Sequence, residues 1–261
     1  MPPKQHTVKR ILNCIPSRDT ERDWRFEHAA QVLAAPAALP AHKDLRESWW
    51  KIGNQGNTGA CVGSATADSV LRWHFVKVNR LTKVQLLSPR FVWMAAKETD
   101  QFISQPTTFI ELEGTSLKAA LDIARKFGAV LDSVLPFQSG KLYGNEAQVF
   151  YAQAAQRKIV SYFNLGTNLA NWRTWLATAG PILTRLGVDA TWDNAGHTGG
   201  NLDVYEPNTV RGGHAVALVG YTKDRFIVRN SWGTTWGDGG FGYASVSYAQ
   251  AAFTEAYGVS V

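Results

Sequence analysis

Residues 54–65 read Asn-Gln-Gly-Asn-Thr-Gly-Ala-Cys-Val-Gly-Ser-Ala and lie between a tryptophan pair and an apolar run that ends near Phe75. The glycines allow the backbone to form turns that a side chain would forbid. After Gly59 the apolar residues recur at helical intervals, so Cys61 is expected near the N-terminus of a helix. Free N–H groups and the helix dipole lower a thiol pKa there, which makes Cys61 a candidate nucleophile. A lone cysteine, however, is more often a small buried hydrophobic residue.

Two distant stretches carry further chemistry. Residues 212–221 read Gly-Gly-His-Ala-Val-Ala-Leu-Val-Gly-Tyr, and residues 228–233 read Val-Arg-Asn-Ser-Trp-Gly. Together with Gln55, six residues before Cys61, they resemble the papain-like (C1 family) cysteine peptidases. That family has a glutamine, a cysteine, a His-Ala-Val strand and Asn-Ser-Trp-Gly in the same order, and four ordered matches are a specific signal. The resemblance covers roughly residues 36–261 and is closest in character to the disulfide-free bacterial and viral members.

The resemblance implies a role for each matching residue. Cys61 would be the nucleophile, and His214 would stabilise its thiolate and then give a proton to the leaving amine. Asn230 would fix the imidazole through its other nitrogen, and Trp232 would shield that hydrogen bond from water. Gln55 would donate an N–H to the developing oxyanion, beside the backbone N–H of Cys61.

Substrate-binding residues follow from the same resemblance. Relatives pair a Gly-Gly backbone with the substrate backbone, and here Gly114 matches while Glu113 replaces the other glycine. Gly187 and Ala215 are expected to line the pocket for the side chain two residues before the scissile bond. Both are small, which favours bulky apolar groups. A register shift of two residues would instead place Arg185 in the pocket and favour an acidic group.

The order of elements predicts an α+β fold, because helical patterns come early and strand patterns late. The resemblance implies two lobes with the active-site cleft between them: a helical lobe over about 50–140 and an antiparallel, β-barrel-like lobe over about 141–261. Residues 36–261 would form this peptidase domain. Residues 1–35 are expected to be an N-terminal extension, too short for the long inhibitory propeptide of secreted relatives.

Several local patterns predict individual elements. Ser88 is a good N-cap, followed by Pro89 in the first helical turn. A second helix is expected from Leu117 and is ended by Phe127-Gly128. Residues 29–38 are expected to form a linker, and residues 191–211 a long polar loop.

Composition narrows the class of protein. The net charge is +6, but there is no block of lysine and arginine, so nucleic-acid binding is not expected. No stretch approaches the ~20 apolar residues of a membrane helix, and no secretory signal is evident. Two cysteines cannot build a disulfide framework, and Thr58 stands where secreted relatives carry a cysteine. These features predict a cytoplasmic protein, which we expect to be a monomer, and the resemblance implies peptide or protein substrates. No cofactor or metal is expected, because the cysteines and histidines lack zinc spacing.

Three alternatives stay open. The same fold could serve as a catalytically inactive binding module, or as an acyl transferase or amidase.

Cys14 is the remaining cysteine. A Cys14–Cys61 disulfide would require the N-terminal residues to lie across the cleft and would block the nucleophile, although a reducing cytosol would keep it open.

Overall fold

Apart from one two-residue strand, every strand in the described residues follows residue 160 and belongs to one mainly antiparallel sheet, which confirms the α+β class. The computed structural model of the chain describes residues 10–30, 38–99, 114–138 and 147–261. The helices in these ranges are α1 (Phe26–Ala30), α2 (Cys61–Ser64), α3 (Arg72–Lys77), α4 (Pro89–Thr99), α5 (Leu117–Lys126), α6 (Ala147–Ala155), α7 (Leu169–Thr178) and α8 (Val246–Ala252). The strands are β1 (Lys43–Asp44), β2 (Ser161–Asn164), β3 (Ile182–Val188), β4 (Asn201–Leu202), β5 (Gly212–Tyr221), β6 (Arg225–Arg229), β7 (Phe241–Ser245) and β8 (Phe253–Ser260). None of the helices in the described ranges has both the length and the apolar character needed to span a bilayer.

The first helix of the helical lobe begins at Cys61, as the sequence predicts. Helix α2 continues without a break through a π-helical segment, Ala65–Leu71, into α3. At the end of this π-helical segment, the backbone N–H of Arg72 donates to the carbonyl of Ala67. The acceptor lies five residues earlier, which is the wider π-helical pattern. The carbonyl of Asp68 within this segment accepts a hydrogen bond from the Trp50 indole at 2.8 Å. We call residues 61–77 the Cys61 helix.

Helix α4 packs against the beginning of the Cys61 helix. The hydroxyl of Ser88 accepts a hydrogen bond from the Phe91 N–H at 3.0 Å, and Pro89 is the first helical residue, so the predicted cap is confirmed. A Cβ at Gly63 would lie 2.3 Å from the carbonyl oxygen of Pro89. Glycine is therefore required there for the two helices to approach this closely.

The β lobe is an open sheet of eight strands within the described residues, not closed into a barrel. Its order is β2-β8-β3-β5-β6-β7-β4, with β1 paired to β5. The pairs are antiparallel except β4 with β7. In the central pair of β3 and β5, Arg185 lies opposite Ala215 and Gly187 lies opposite Gly213. Because β5 is buried from His214 onward, its sequence is almost continuously apolar.

A buried ion pair joins the two lobes. The guanidinium of Arg229, at the end of β6, lies 2.5 Å from the carboxylate of Asp68 in the Cys61 helix. Arg229 also donates to the Trp50 carbonyl at 3.1 Å and stacks over the Trp50 ring at 4.5 Å. Burial lowers the pKa of Arg229, so these partners are needed to hold its charge.

The N-terminal residues lie in the cleft between the lobes. We call residues 10–17 the cleft segment. Its Cys14 N–H donates to the Gly213 carbonyl at 3.0 Å, on the β lobe, and its Ile15 N–H donates to the Thr115 carbonyl at 3.2 Å, before α5. The predicted linker at 29–38 falls mostly on residues outside the described ranges, so it stays a prediction.

Residues beyond the cleft segment attach it firmly to both lobes. The carboxylate of Asp23 is buried, lies 2.7 Å from the Lys118 ammonium of α5 and accepts a hydrogen bond from the Tyr257 hydroxyl of β8 at 2.8 Å. The N-terminal residues described here therefore pack as part of the folded domain.

Candidate active site

Cys61 and His214 come together where the two lobes meet. Cys61 is the first residue of α2, and His214 is the third residue of β5. Both side chains are fully buried, and the imidazole neighbours the thiol. The structure thus brings together the two residues that the sequence analysis selected as nucleophile and proton partner.

Asn230 fixes the orientation of the His214 ring. Its Oδ1 lies 2.9 Å from Nε2 of His214 and accepts a second hydrogen bond, at 2.8 Å, from the backbone N–H of Ser231. A backbone N–H can only donate, so this atom is the amide oxygen and not the nitrogen. The Nε2 of His214 must therefore carry a hydrogen, which leaves Nδ1 as the nitrogen available to Cys61.

Aromatic rings enclose the histidine. Trp232 lies against the His214 ring with 4.8 Å between centroids, in the shielding position that the sequence analysis assigned to it. Trp192 meets the same ring edge-on at 5.6 Å, and Trp236 stacks on Trp192 at 4.8 Å. The hydrogen bond between His214 and Asn230 is therefore kept from water, which strengthens it.

Trp192 was missed by the sequence analysis, which treated residues 191–211 as a polar loop. It lies in a 3₁₀ turn, Ala190–Asp193, directly after β3. Its indole N–H donates to the Tyr248 hydroxyl at 2.9 Å, and that hydroxyl donates to the buried carboxylate of Asp189 at 2.6 Å. A large apolar residue within a polar stretch was the available signal, but its contact with His214 depends on long-range packing.

Gln55 connects the turn before Cys61 to the Asn-Ser-Trp-Gly stretch. Its backbone N–H donates to the Ser231 carbonyl at 2.8 Å, and its Oε1 accepts from the Ser231 hydroxyl at 2.7 Å. Its Nε2 donates one hydrogen to the Thr58 carbonyl at 3.0 Å. An amide nitrogen carries two hydrogens, so a second one remains for a substrate oxygen.

The surroundings of Cys61 favour its thiolate. The neighbouring Cys14 thiol, which can donate to a Cys61 thiolate, is the main reason that the pKa of Cys61 lies well below its usual value. The neighbouring His214 and the N–H of Ala215 lower the pKa further, while burial opposes them. Burial also raises the pKa of Cys14 well above its usual value. The two shifts are opposite in direction, so the pair favours a thiol on Cys14 and a thiolate on Cys61 over the reverse arrangement.

Glycines on both sides of the cleft make room for an extended backbone. A Cβ at Gly114 would lie 1.9 Å from the carbonyl oxygen of Asn13, and one at Gly213 would lie 2.1 Å from that of Cys14. Gly114 thus contacts a chain in the cleft, which is the kind of contact that the sequence analysis expected it to make with substrate. Glu113 lies outside the described residues.

The residues predicted to line the specificity pocket lie on the paired strands β3 and β5. Gly187 faces Tyr205 and Val210, because a Cβ there would lie 2.8 Å from the Tyr205 hydroxyl. Arg185, the alternative in the sequence analysis, donates from Nε to the Cys14 carbonyl at 2.9 Å and pairs across the sheet with Ala215. Arg185 thus contacts the chain in the cleft, while the assignment of Gly187 and Ala215 to the pocket stays a prediction.

The assembled groups suit nucleophilic catalysis. They are a thiolate, an imidazole with a fixed hydrogen, an orienting amide and an amide donor. Across the described ranges, no three histidine, cysteine or acidic side chains lie close enough to hold a metal ion.

Comparison with known proteins gives the family. The sequence profile of the papain family cysteine proteases matches residues 39–257, so the chain belongs to this family. Cathepsin J of Mus musculus is 28% identical over 216 residues, which cover 78% of this chain and 59% of that protein. A cathepsin L-like proteinase of Fasciola hepatica is 26% identical over 230 residues, covering 83% and 63%. The chain thus spans less than two thirds of either relative.

A solved structure shares the fold. Xylellain, a cysteine protease from Xylella fastidiosa, superimposes with a TM-score of 0.79 over 97% of both chains, at 20% sequence identity. The two-lobe arrangement inferred from the sequence is therefore confirmed.

We expect Cys61 to be a thiolate at neutral pH. The ultraviolet absorbance of the thiolate, taken as the difference between wild type and Cys61→Ser, should persist from alkaline into neutral solution. It should be lost only as the pH falls through the lowered pKa of Cys61. Cys14→Ala removes the hydrogen-bond donor and should move this loss to higher pH, whereas Cys14→Ser keeps a donor and should move it less. A difference absorbance that develops only in alkaline solution would contradict the assignment.

Proposed function

We propose that this chain is a cysteine endopeptidase that hydrolyses peptide bonds through the Cys61 thiolate and the His214 imidazolium. The observation that carries the proposal is the position of His214. Its ring neighbours the Cys61 thiol, while its Nε2 is fixed by Asn230 at 2.9 Å. An imidazole held in this way presents its other nitrogen to the nucleophile, as catalysis by a thiolate requires.

The reaction would proceed in two steps. The Cys61 sulfur attacks the scissile carbonyl carbon, and the oxyanion accepts hydrogen bonds from the Gln55 side chain and the Cys61 backbone N–H. His214 then gives its proton to the leaving amine as the C–N bond breaks. In the second step His214 takes a proton from water, the hydroxide attacks the thioester, and the carboxylic acid leaves as the thiolate forms again.

An extended peptide is the substrate that this cleft fits best. The cleft segment already lies there as an extended chain, with its backbone against Gly114 and Gly213. The atom nearest to each of these glycines is a main-chain carbonyl oxygen, so the contacts suit any sequence. Side-chain selection would then fall to residues such as Arg185, which reaches the segment with its guanidinium.

The cleft segment must leave before a substrate can bind. Arg10 helps to hold it, because its guanidinium donates to the Gly56 carbonyl at 3.1 Å and to the Trp232 carbonyl at 3.3 Å. It also lies over the Trp232 ring at 5.4 Å. Arg10→Ala therefore provides a background in which the cleft opens more readily, while every proposed catalytic group is kept.

Substitution of the four site residues tests the proposal. In both the wild-type and the Arg10→Ala background, Cys61→Ala and His214→Ala should abolish cleavage of a peptide library. Gln55→Ala should lower kcat by about 10²–10³, because one oxyanion donor is lost. Asn230→Ala should be milder, since packing against Trp232 still orients the ring. Undiminished cleavage by His214→Ala would remove that residue from the mechanism.

An epoxide thiol inactivator separates a peptidase from the alternatives on the same fold. A peptidase should be labelled once, at Cys61, whereas a binding module should remain unlabelled when fully reduced. An acyl transferase would also be labelled, but it would pass the acyl group to an added amine rather than to water.

Arg185 should set a preference for an acidic side chain near the scissile bond. The wild-type profile should favour aspartate or glutamate over apolar residues by about tenfold, as expected for a hydrogen bond between charged groups. Arg185→Ala should lose this preference. Arg225→Ala, which removes a guanidinium paired with Asp203 elsewhere on the sheet, should keep it. An apolar preference that is the same in wild type and Arg185→Ala would support Gly187 as the lining residue instead.

A further inference from the structure

Cys14 has no part in the proposed hydrolysis, yet it lies at the centre of the site. Its side chain is 2% exposed, and its Sγ lies 3.9 Å from the Ile15 carbonyl oxygen. Its backbone is held from two sides, since its N–H donates to Gly213 at 3.0 Å, one residue before His214, and its carbonyl accepts from Arg185 at 2.9 Å. The course of the cleft segment thus keeps the Cys14 thiol beside Cys61, close enough to lower the pKa of that cysteine.

We propose that Cys14 is a resolving cysteine, which closes a disulfide with Cys61 when a peroxide oxidises the nucleophile, and so locks the cleft segment over the active site. The proposal rests on the proposed function only in treating Cys61 as the reactive thiolate. The modification is a reversible intramolecular disulfide, and the reagent that forms it belongs to the peroxide class.

The oxidation proceeds in two balanced steps. The Cys61 thiolate attacks one oxygen of hydrogen peroxide, the O–O bond breaks, and the released hydroxide takes a proton to give water and a Cys61 sulfenic acid. The Cys14 thiol then attacks the Cys61 sulfur. The S–O bond breaks, the hydroxyl group leaves with the Cys14 proton as a second water, and the disulfide forms. The peroxide is reduced, and each sulfur loses one electron.

The reactivity of the two cysteines suits these separate roles. A thiolate in contact with His214 is the better nucleophile toward peroxide, so Cys61 should be oxidised first. Cys14 is a buried thiol and should be inert until a sulfenic acid forms beside it. Cys61 is itself covered in the closed form, so its oxidation would be fastest when the segment is displaced.

The attachment of the N-terminal residues favours the second step of the oxidation, in which Cys14 attacks the Cys61 sulfenic acid. The buried contact between Asp23 and Lys118, at 2.7 Å, lies on one side of Cys14, and the hydrogen bonds of Arg10 lie on the other. A displaced segment therefore returns to the same place, and the effective concentration of Cys14 at Cys61 is high. The site is not permanently blocked, because these contacts are non-covalent.

The disulfide would have two consequences for the enzyme. It would occupy the nucleophile, so hydrolysis would stop until a dithiol restores both cysteines by exchange. It would also intercept the sulfenic acid before a second peroxide converts it to sulfinic acid, which thiols cannot reverse. Cys14 would thus convert a destructive oxidation into a reversible one.

The test is peroxide treatment of the full chain, followed by intact mass, peptide mapping and turnover before and after dithiothreitol. The wild type should lose two hydrogens, give a Cys14–Cys61 linked peptide, lose its activity, and regain mass and activity with the reductant. Cys14→Ser should form no such peptide, gain two oxygens at Cys61, and stay inactive after dithiothreitol. Ser17→Ala keeps both cysteines and should behave as the wild type.

The outcomes distinguish this proposal from the proposed function. If the wild type yields no linked peptide and gains two oxygens as Cys14→Ser does, Cys14 is not a resolving cysteine, whether or not the protein hydrolyses peptides. If the linked peptide forms but the reduced Arg10→Ala protein cleaves nothing, the peptidase proposal fails and the disulfide stands. Should Cys14→Ser fold poorly by thermal melting, Cys14→Ala replaces it, and the wild-type map decides by itself.

Discussion

The active site depends on the ion pair between the buried Arg229 and the partly exposed Asp68, which meet where the two lobes join. Asp68 belongs to the helix that begins with Cys61, and Arg229 immediately precedes Asn230. A buried guanidinium that loses its partner costs about 3–5 kcal/mol, so the two elements are held in one relative position. The contact between Cys61 and His214 therefore rests on an electrostatic constraint placed away from the chemistry.

A second connection completes the alignment. Gln55 binds Ser231 through both its backbone and its side chain, and so links the turn before the nucleophile to the residue after Asn230. The tryptophans around His214 then exclude water from the assembled groups. In such surroundings each hydrogen bond is stronger than it would be in water, and each unsatisfied group is more costly. Cys14 is held beside them by its own backbone hydrogen bonds to Gly213 and Arg185.

The sequence predicts those features that depend on local pattern. Glycine spacing and apolar periodicity place Cys61 at a helix start, and Ser88 with Pro89 marks the next helix. Long-range contacts carry no such signal. The partner of Arg229, the contact of Trp192 with His214 and the path of the N-terminal residues through the cleft all depend on tertiary packing. The contacts of Gly187 and Arg185 likewise depend on how the strands pair. Whether the sheet closes into a barrel could not be judged from strand patterns alone.

The dependence of kcat/KM on pH, measured with one peptide substrate and the full chain, tests the central claim most directly. A thiolate beside an imidazolium predicts a bell-shaped profile. Activity should fall in acid as Cys61 is protonated, and fall again in alkaline solution, where the leaving amine no longer receives a proton. The acid limb should lie below the usual pKa of a thiol, because His214 and the Ala215 N–H still lower the pKa of Cys61 when Cys14 has left with the cleft segment. A profile that rises steadily through alkaline pH would show that hydroxide generates the thiolate, and it would contradict a preformed pair of Cys61 and His214.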